Sequence, residues 1–172
     1  MANNEKLLKT IRRWIVFFII ALILSGVTAF GLERELRWLL DHWDPGSSRT
    51  RAEMFTGGGG LRGWVYVVYE ALRETNVNWP FLAYGYDWLA FAHLVIAVAF
   101  VGPLIDPVRN KWVILFGMIA CVMVFPLAFI AGAVRGIPIY WRLIDCSFGI
   151  VGLVPLGICY YKIGRLEEGV TF

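Results

Sequence analysis

Histidine is scarce in this chain: His42 and His93 are the only two among 172 residues. Bis-histidine haem ligation would require both, and His42 falls outside the apolar runs. No cofactor is therefore predicted, with haem or quinone as the alternative. Cysteine is also sparse. Cys121, Cys146 and Cys159 all lie inside apolar runs and form no CxxC pair. That pattern excludes a disulfide framework, a thiol relay and a cysteine-rich zinc site. Asp145 and Cys146 are helix neighbours pointing about 100° apart, which suits no shared zinc with His93. No metal is predicted. Lysine occurs four times, there is no dense Lys/Arg tract, and no nucleic-acid motif is present, so nucleic acid is not an expected partner. The four glycines Gly57–Gly60 are not followed by GK[ST] and do not follow a strand, which excludes a phosphate loop. Ser147 or Cys146 with His93 as base lacks any strand–turn–helix nucleophile context, and no catalytic signature is found.

What the chain has in excess is apolar residues, 59% hydrophobic against the 45–50% of soluble domains. A spanning helix needs roughly 17–25 mostly apolar residues. Four segments qualify: 14–30, 88–105, 112–134 and about 143–161. The first has the basic start of a signal peptide, but its apolar run is long and Phe30 and Leu32 follow its small residues closely, so it reads as a retained anchor. The expected fold is an all-α membrane protein, a four-helix transmembrane bundle in one domain. Disulfide-relay bundles require paired cysteines and cytochrome b bundles paired histidines, and the residues match no characterised family.

Charge placement predicts the orientation. Lys6, Lys9, Arg12 and Arg13 precede the first span, Arg109 and Lys111 sit between the second and third, and Lys162 and Arg165 follow the fourth. With four spans these fall on one side, expected to be the cytoplasm of a bacterial cell, with both termini inside. Arg135 and Arg142, between spans three and four, are a mild exception. Trp14, Trp112, Tyr160 and Tyr161 mark the inner boundary, and Trp79, Tyr84, Tyr86, Trp88, Tyr140 and Trp141 the outer one.

The 31–87 segment mixes six Arg with eight acids and is expected outside. In 31–43, Leu32, Leu36, Leu39, Leu40 and Trp43 recur at helical spacing, and Glu33, Arg37 and Asp41 stand four apart on another face. This predicts an amphipathic helix that either extends span one or bends at Gly31 onto the surface. Residues 44–62 read as a flexible linker. Residues 63–75 read as a second short amphipathic helix, ended by 76–80.

Rare polar side chains inside the spans are the candidate site, because an intramembrane charge costs a few kcal/mol unless paired or facing a cavity. Small residues mark packing faces. These faces are predicted as Ala21, Ser25 and Thr28 in span one; Ala90, His93 and Ala97 in span two; Gly117, Cys121, Ala128, Gly132 and Arg135 in span three; and Asp145, Gly149, Gly152 and Cys159 in span four. Cys146 is expected to point elsewhere. At about 1.5 Å rise per residue, His93 and Ser25 lie roughly 8 Å deep and Asp145 roughly 5 Å deep. Ser25, Thr28, His93, Arg135 and Asp145 are therefore expected to converge in an outer-leaflet polar pocket, with Asp87 and Arg142 at its rim. A structural reading pairs Arg135 or Arg142 with Asp145 and fixes the turn between spans three and four. A functional reading makes the pocket a site for a headgroup, a quinone or a proton relay.

The function expected from these residues is a small polytopic membrane protein that binds a partner or lipid, or serves as a subunit of a larger membrane complex. The alternative is a membrane enzyme, carrier or quinone/redox protein using the pocket around His93, Arg135 and Asp145. The expected partners are the lipid bilayer and a membrane protein or a second copy of the chain.

Overall fold

A computed structural model describes residues 2–43 and 60–168. Helix makes up 92% of them and no strand occurs among them, which establishes the all-α class. In chain order the helices are α1 (Ala2–Phe30), α2 (Leu32–Trp43), α3 (Gly60–Asn78), α4 (Pro80–Ala99), α5 (Val101–Ile105), α6 (Lys111–Pro126), α7 (Gly132–Val134) and α8 (Ile139–Glu168), with a π-helical turn, Leu127–Ala131, between α6 and α7. Four stretches are long and apolar enough to cross a membrane: Asn4–Phe30, Pro80–Ile105, Lys111–Val134 and Ile139–Glu168. Each contains one expected span and extends beyond it. The predicted linker 44–62 lies outside the described residues except at its end, where residues 60–62 already belong to α3.

The chain divides into two compact units, Met1–Ile23 with Val95–Phe172, and Leu24–Leu94. In the first, α1 contributes Ile11 and Ile15, both fully buried, followed by Phe18 and Leu22 at steps of three or four. They close on Phe100, Ile114, Leu156, Cys159 and Ile163. Phe18 and Phe100 meet with ring centroids 4.7 Å apart. The closest helix pairing is α6 on α8, and small residues create it. A Cβ at Gly149 would lie 2.6 Å from the Cys121 carbonyl oxygen, and one at Gly152 would lie 2.7 Å from Cys121 Sγ. Backbones approach this closely in membrane bundles only where side chains are minimal. Gly117 likewise admits the tip of the Phe100 ring, 2.7 Å from where a Cβ would stand.

Prolines set the interruptions. Pro103 donates no N–H and crowds the carbonyl of Ala99, and the helix breaks at Phe100 between α4 and α5. Pro126 ends α6, and the chain widens into the π-helical turn before resuming as α7. Pro155 is buried inside α8, which continues through it. After α7, Gly136 takes φ 68°. Its N–H bonds the Ala133 carbonyl at 3.1 Å, and the Ile137 N–H bonds the Gly132 carbonyl at 2.9 Å. These two bonds form a Schellman closure, which favours glycine at the left-handed position.

Polar side chains tie the opposite end of this unit. Arg12 donates from Nε to the Leu104 carbonyl (3.2 Å) and from a terminal nitrogen to the Ile105 carbonyl (3.3 Å). Those carbonyls have no helical partner because α5 stops there. Asn110 Nδ2 donates to the carbonyls of Gly102 and Asp106, and Asp106 Oδ1 accepts from the Arg109 N–H. Lys111 pairs with Glu167 at 2.5 Å and lies 4.9 Å from the centre of the Tyr160 ring.

In the second unit, Gly31 separates α1 from α2. Its N–H bonds the Thr28 carbonyl, and its own carbonyl accepts from Arg34 and Glu35. Helix α1 therefore ends and α2 restarts within one residue. Helix α3 ends one position before Trp79, because the residue preceding Pro80 disfavours helical backbone. Pro80 then occupies the first turn of α4, where its missing N–H leaves no bond unmade. Helix α2 packs on α3, burying Leu36 and Val65. Glu70, also buried, is paired with Arg73 at 2.9 Å. That hydrogen bond raises the Arg73 pKa above its ordinary value.

Candidate functional site

The structure distributes the predicted polar cluster over both units. In the first unit, Arg135 is exposed at the end of α7 and Asp145 is half-buried on α8. Among the described residues they form no ion pair. The turn between them is fixed by Arg142. Its Nε donates to the Ile137 carbonyl at 2.6 Å, and its stem covers Gly132, where a Cβ would stand 2.8 Å from Cδ. Seating Arg142 on Gly132 turns the packing face of α8 toward residues four and seven positions on, Cys146 and Gly149. Cys146 is accordingly 4% exposed and packs, whereas the expected packing stripe of span four ran through Asp145 and had Cys146 pointing elsewhere.

In the second unit, Ser25 and Thr28 are exposed, contrary to the packing face predicted for span one. Thr28 Oγ1 donates to the Leu24 carbonyl at 2.8 Å, within its own helix. The buried small residue is Gly26, where a Cβ would meet the Ala90 carbonyl oxygen at 2.9 Å and His93 Cβ at 3.2 Å. His93 lies beside this contact, half-buried. Its Nδ1 lies 2.8 Å from the Leu89 carbonyl oxygen, which can only accept, so Nδ1 carries the hydrogen of this contact. Ala90 and Ala97 are buried on the predicted face of span two, and Asp87 is half-buried.

A different polar site is assembled in the second unit, and the sequence reading did not single it out. Tyr86 Oη on α4 donates to Asn76 Oδ1 on α3 at 2.7 Å. Asn76 Nδ2 donates to Glu33 Oε2 on α2. Three helices are thus joined by one directed relay ending on a carboxylate. The relay forms one wall of a cavity of about 500 Å³, in the range of small-molecule sites. Phe30, Gly31, Arg34 and Arg37 complete its lining. Glu33, Arg34 and Arg37 occupy an arc of about 100° on α2. Arg37 lies 4.0 Å from Asp41, with both side chains over 70% exposed, a pairing worth little in water. The Arg34 side chain makes no hydrogen bond or ion pair among the described residues.

Glu33, Arg37 and Asp41 were legible as a charged helix face, but their spacing carries no information about α3 or α4. Asn76 gave one weak signal, a polar residue at the end of a helix that Trp79-Pro80 must stop. Among the described residues no three His, Cys, Asp or Glu side chains gather as a metal-ligand set. Comparisons with protein families, with curated proteins and with solved structures find no match.

Proposed function

We propose that the chain is an integral protein of a bacterial cytoplasmic membrane, with both termini in the cytoplasm, and that it acts as a non-catalytic subunit of a larger membrane assembly. The observation that carries this reading is the chemistry of the uncovered helix faces. Between 11% and 33% of each candidate span's most apolar window is buried within the chain. What remains outside is large and apolar: Val98, Met123, Leu127, Ile130 and Phe148 are each more than 60% exposed. Such faces require lipid or a partner helix. Photo-crosslinking from position 148 in cells tests the assembly. A discrete protein adduct is expected, whereas lipid adducts alone from that face, with a monomer in mild detergent, defeat the reading.

Asp145 favours a second reading, a membrane enzyme or carrier. This carboxylate is half-buried in an apolar helix and has no hydrogen-bond or ion-pair partner among the described residues, and ionisable groups in such positions mark functional pathways. Under that reading Asp145→Asn and His93→Ala abolish the cellular phenotype while the protein's melting temperature stays near wild type. Under the subunit reading the phenotype of both variants is retained.

A further inference from the structure

We infer that the cavity between α2, α3 and α4 is a binding site for the headgroup of an amine-bearing phospholipid, its phosphate held by Arg34 and Arg37 and its ammonium by Glu33. The inference rests on the membrane reading above and not on assembly with a partner.

Four observations carry it. The first is charge. Two guanidinium groups and one carboxylate share one face of α2, and among the described residues neither arginine side chain has a strong partner of its own. Guanidinium forks match phosphate oxygens in geometry as well as charge. A purely anionic ligand would face repulsion from Glu33, whereas a zwitterion with phosphate and ammonium two carbons apart satisfies both signs. The second is the relay. Tyr86 and Asn76 donate in sequence toward Glu33, so the carboxylate is oriented and its charge supported from one side. Asn76 engages Oε2, and Glu33 Oε1, which accepts no hydrogen bond from the described residues, is open to a ligand N–H. A primary ammonium offers such a donor and a quaternary choline offers none.

The third is depth. The apolar run of α1 ends at Phe30, which lines the cavity and is half exposed. On α4, Tyr86 lies between Tyr84 and Trp88, both more than half exposed and packed edge to face on one another. Exposed Tyr and Trp at the end of a spanning helix sit at headgroup level. The cavity therefore opens where phospholipid headgroups are, and Phe30 supplies an apolar wall for the glycerol end. The fourth is size, since about 500 Å³ accommodates a zwitterionic headgroup.

The test uses the full-length protein in detergent, titrated with dioctanoyl-phosphatidylethanolamine, the matching phosphatidylcholine and phosphatidylglycerol, and water-soluble O-phosphoethanolamine. Binding is read as a rise in melting temperature with ligand concentration. Phosphatidylethanolamine is expected to bind about tenfold more tightly than phosphatidylcholine, the difference of one charge-assisted hydrogen bond. The double variant R34A/R37A is expected to lose about tenfold or more of that affinity. Glu33→Gln is expected to abolish the preference for phosphatidylethanolamine over phosphatidylcholine and to leave phosphatidylglycerol binding in place. If R34A/R37A does not fold, Arg34→Gln alone carries the test, because Arg34 has no partner within the described chain. Equal affinity for the two zwitterionic lipids overturns the inference, as does undiminished binding by the arginine variants. O-phosphoethanolamine binding as tightly as the lipid overturns the lipid source and leaves a site for a free phosphorylated amine. Release of the protein from membranes by alkaline carbonate brings down the membrane reading itself. A membrane-retained protein indifferent to lipid brings down this inference alone.

Discussion

Gly149 and Gly157 occupy the same helix and differ only in what surrounds them, which makes them a matched pair. A side chain at Gly149 meets the Cys121 carbonyl, a backbone atom that cannot rotate away. Gly149→Val is expected to lower stability by about 2–4 kcal/mol, through overpacking and separation of α6 from α8. Nothing lies within 4 Å of a Cβ at Gly157. Gly157→Ala is expected to be neutral or to stabilise by up to about 1 kcal/mol, through the lower helix propensity of glycine. Denaturation by a strong detergent, followed by loss of helical circular dichroism, ranks the two variants against wild type. Cys121, Gly149 and Gly152 were readable in advance because small residues at steps of three and four have one dominant use between apolar helices. Asp145 and Cys146 show the limit of such reading. They are 100° apart on an ideal helix, and which one packs is decided by Arg142 resting on Gly132, a contact between helices that no local spacing encodes.

Turns and helix ends, one scale up, owe most to glycine and proline. Gly136 adopts a left-handed conformation that an alanine tolerates only with strain. Gly136→Ala is therefore expected to cost about 1–2 kcal/mol and to weaken the closure between α7 and α8. Arg142→Met keeps an apolar stem over Gly132 but removes the donor to the Ile137 carbonyl. A loss of about 1 kcal/mol is expected, measured by the same unfolding assay. The four long apolar helices were legible because length and hydropathy are local properties, whereas the choice at Gly31 between continuing and interrupting the first helix was left open by the sequence. Helix α1 was legible as an element but its packing face was not. The small-residue rule selected Ala21, Ser25 and Thr28, whereas Ile11, Ile15, Phe18 and Leu22 pack. Large aliphatic side chains are equally at home against lipid and against protein, so hydrophobicity does not mark the inner face of a spanning helix. Only at Gly26, where the Ala90 carbonyl approaches, is a small residue required on that face.

For the whole molecule, the polar contacts fall into two groups, one in each unit. Arg12, Asn110, Lys111 and Glu167 are engaged near one set of helix ends, while Glu33, Asn76 and Tyr86 join the helices of the 24–94 unit. The second group was hidden from the sequence because its members are 10 and 43 positions apart, and only folding of α2, α3 and α4 together gives them a common site. Asn76→Leu removes both of its hydrogen bonds and leaves the Glu33 carboxylate without its donor. That variant is expected to loosen α2 from α3 and α4, read as at least several-fold faster hydrogen exchange of the α2 amides, with the long apolar helices intact. The proposed orientation makes a separate demand. Basic residues cluster around the termini and the 106–111 turn, and such clusters are retained in the cytoplasm. Cys121, Cys146 and Cys159 are buried, so they contribute little background to a thiol-labelling experiment. Val77 is 75% exposed on α3 and Arg109 is exposed in the 106–111 turn. In intact cells, a thiol reagent that does not cross the inner membrane is expected to label Val77→Cys and to spare Arg109→Cys until the membrane is permeabilised. Labelling of Arg109→Cys alone would invert the proposed orientation and move the proposed lipid-headgroup cavity to the cytoplasmic leaflet.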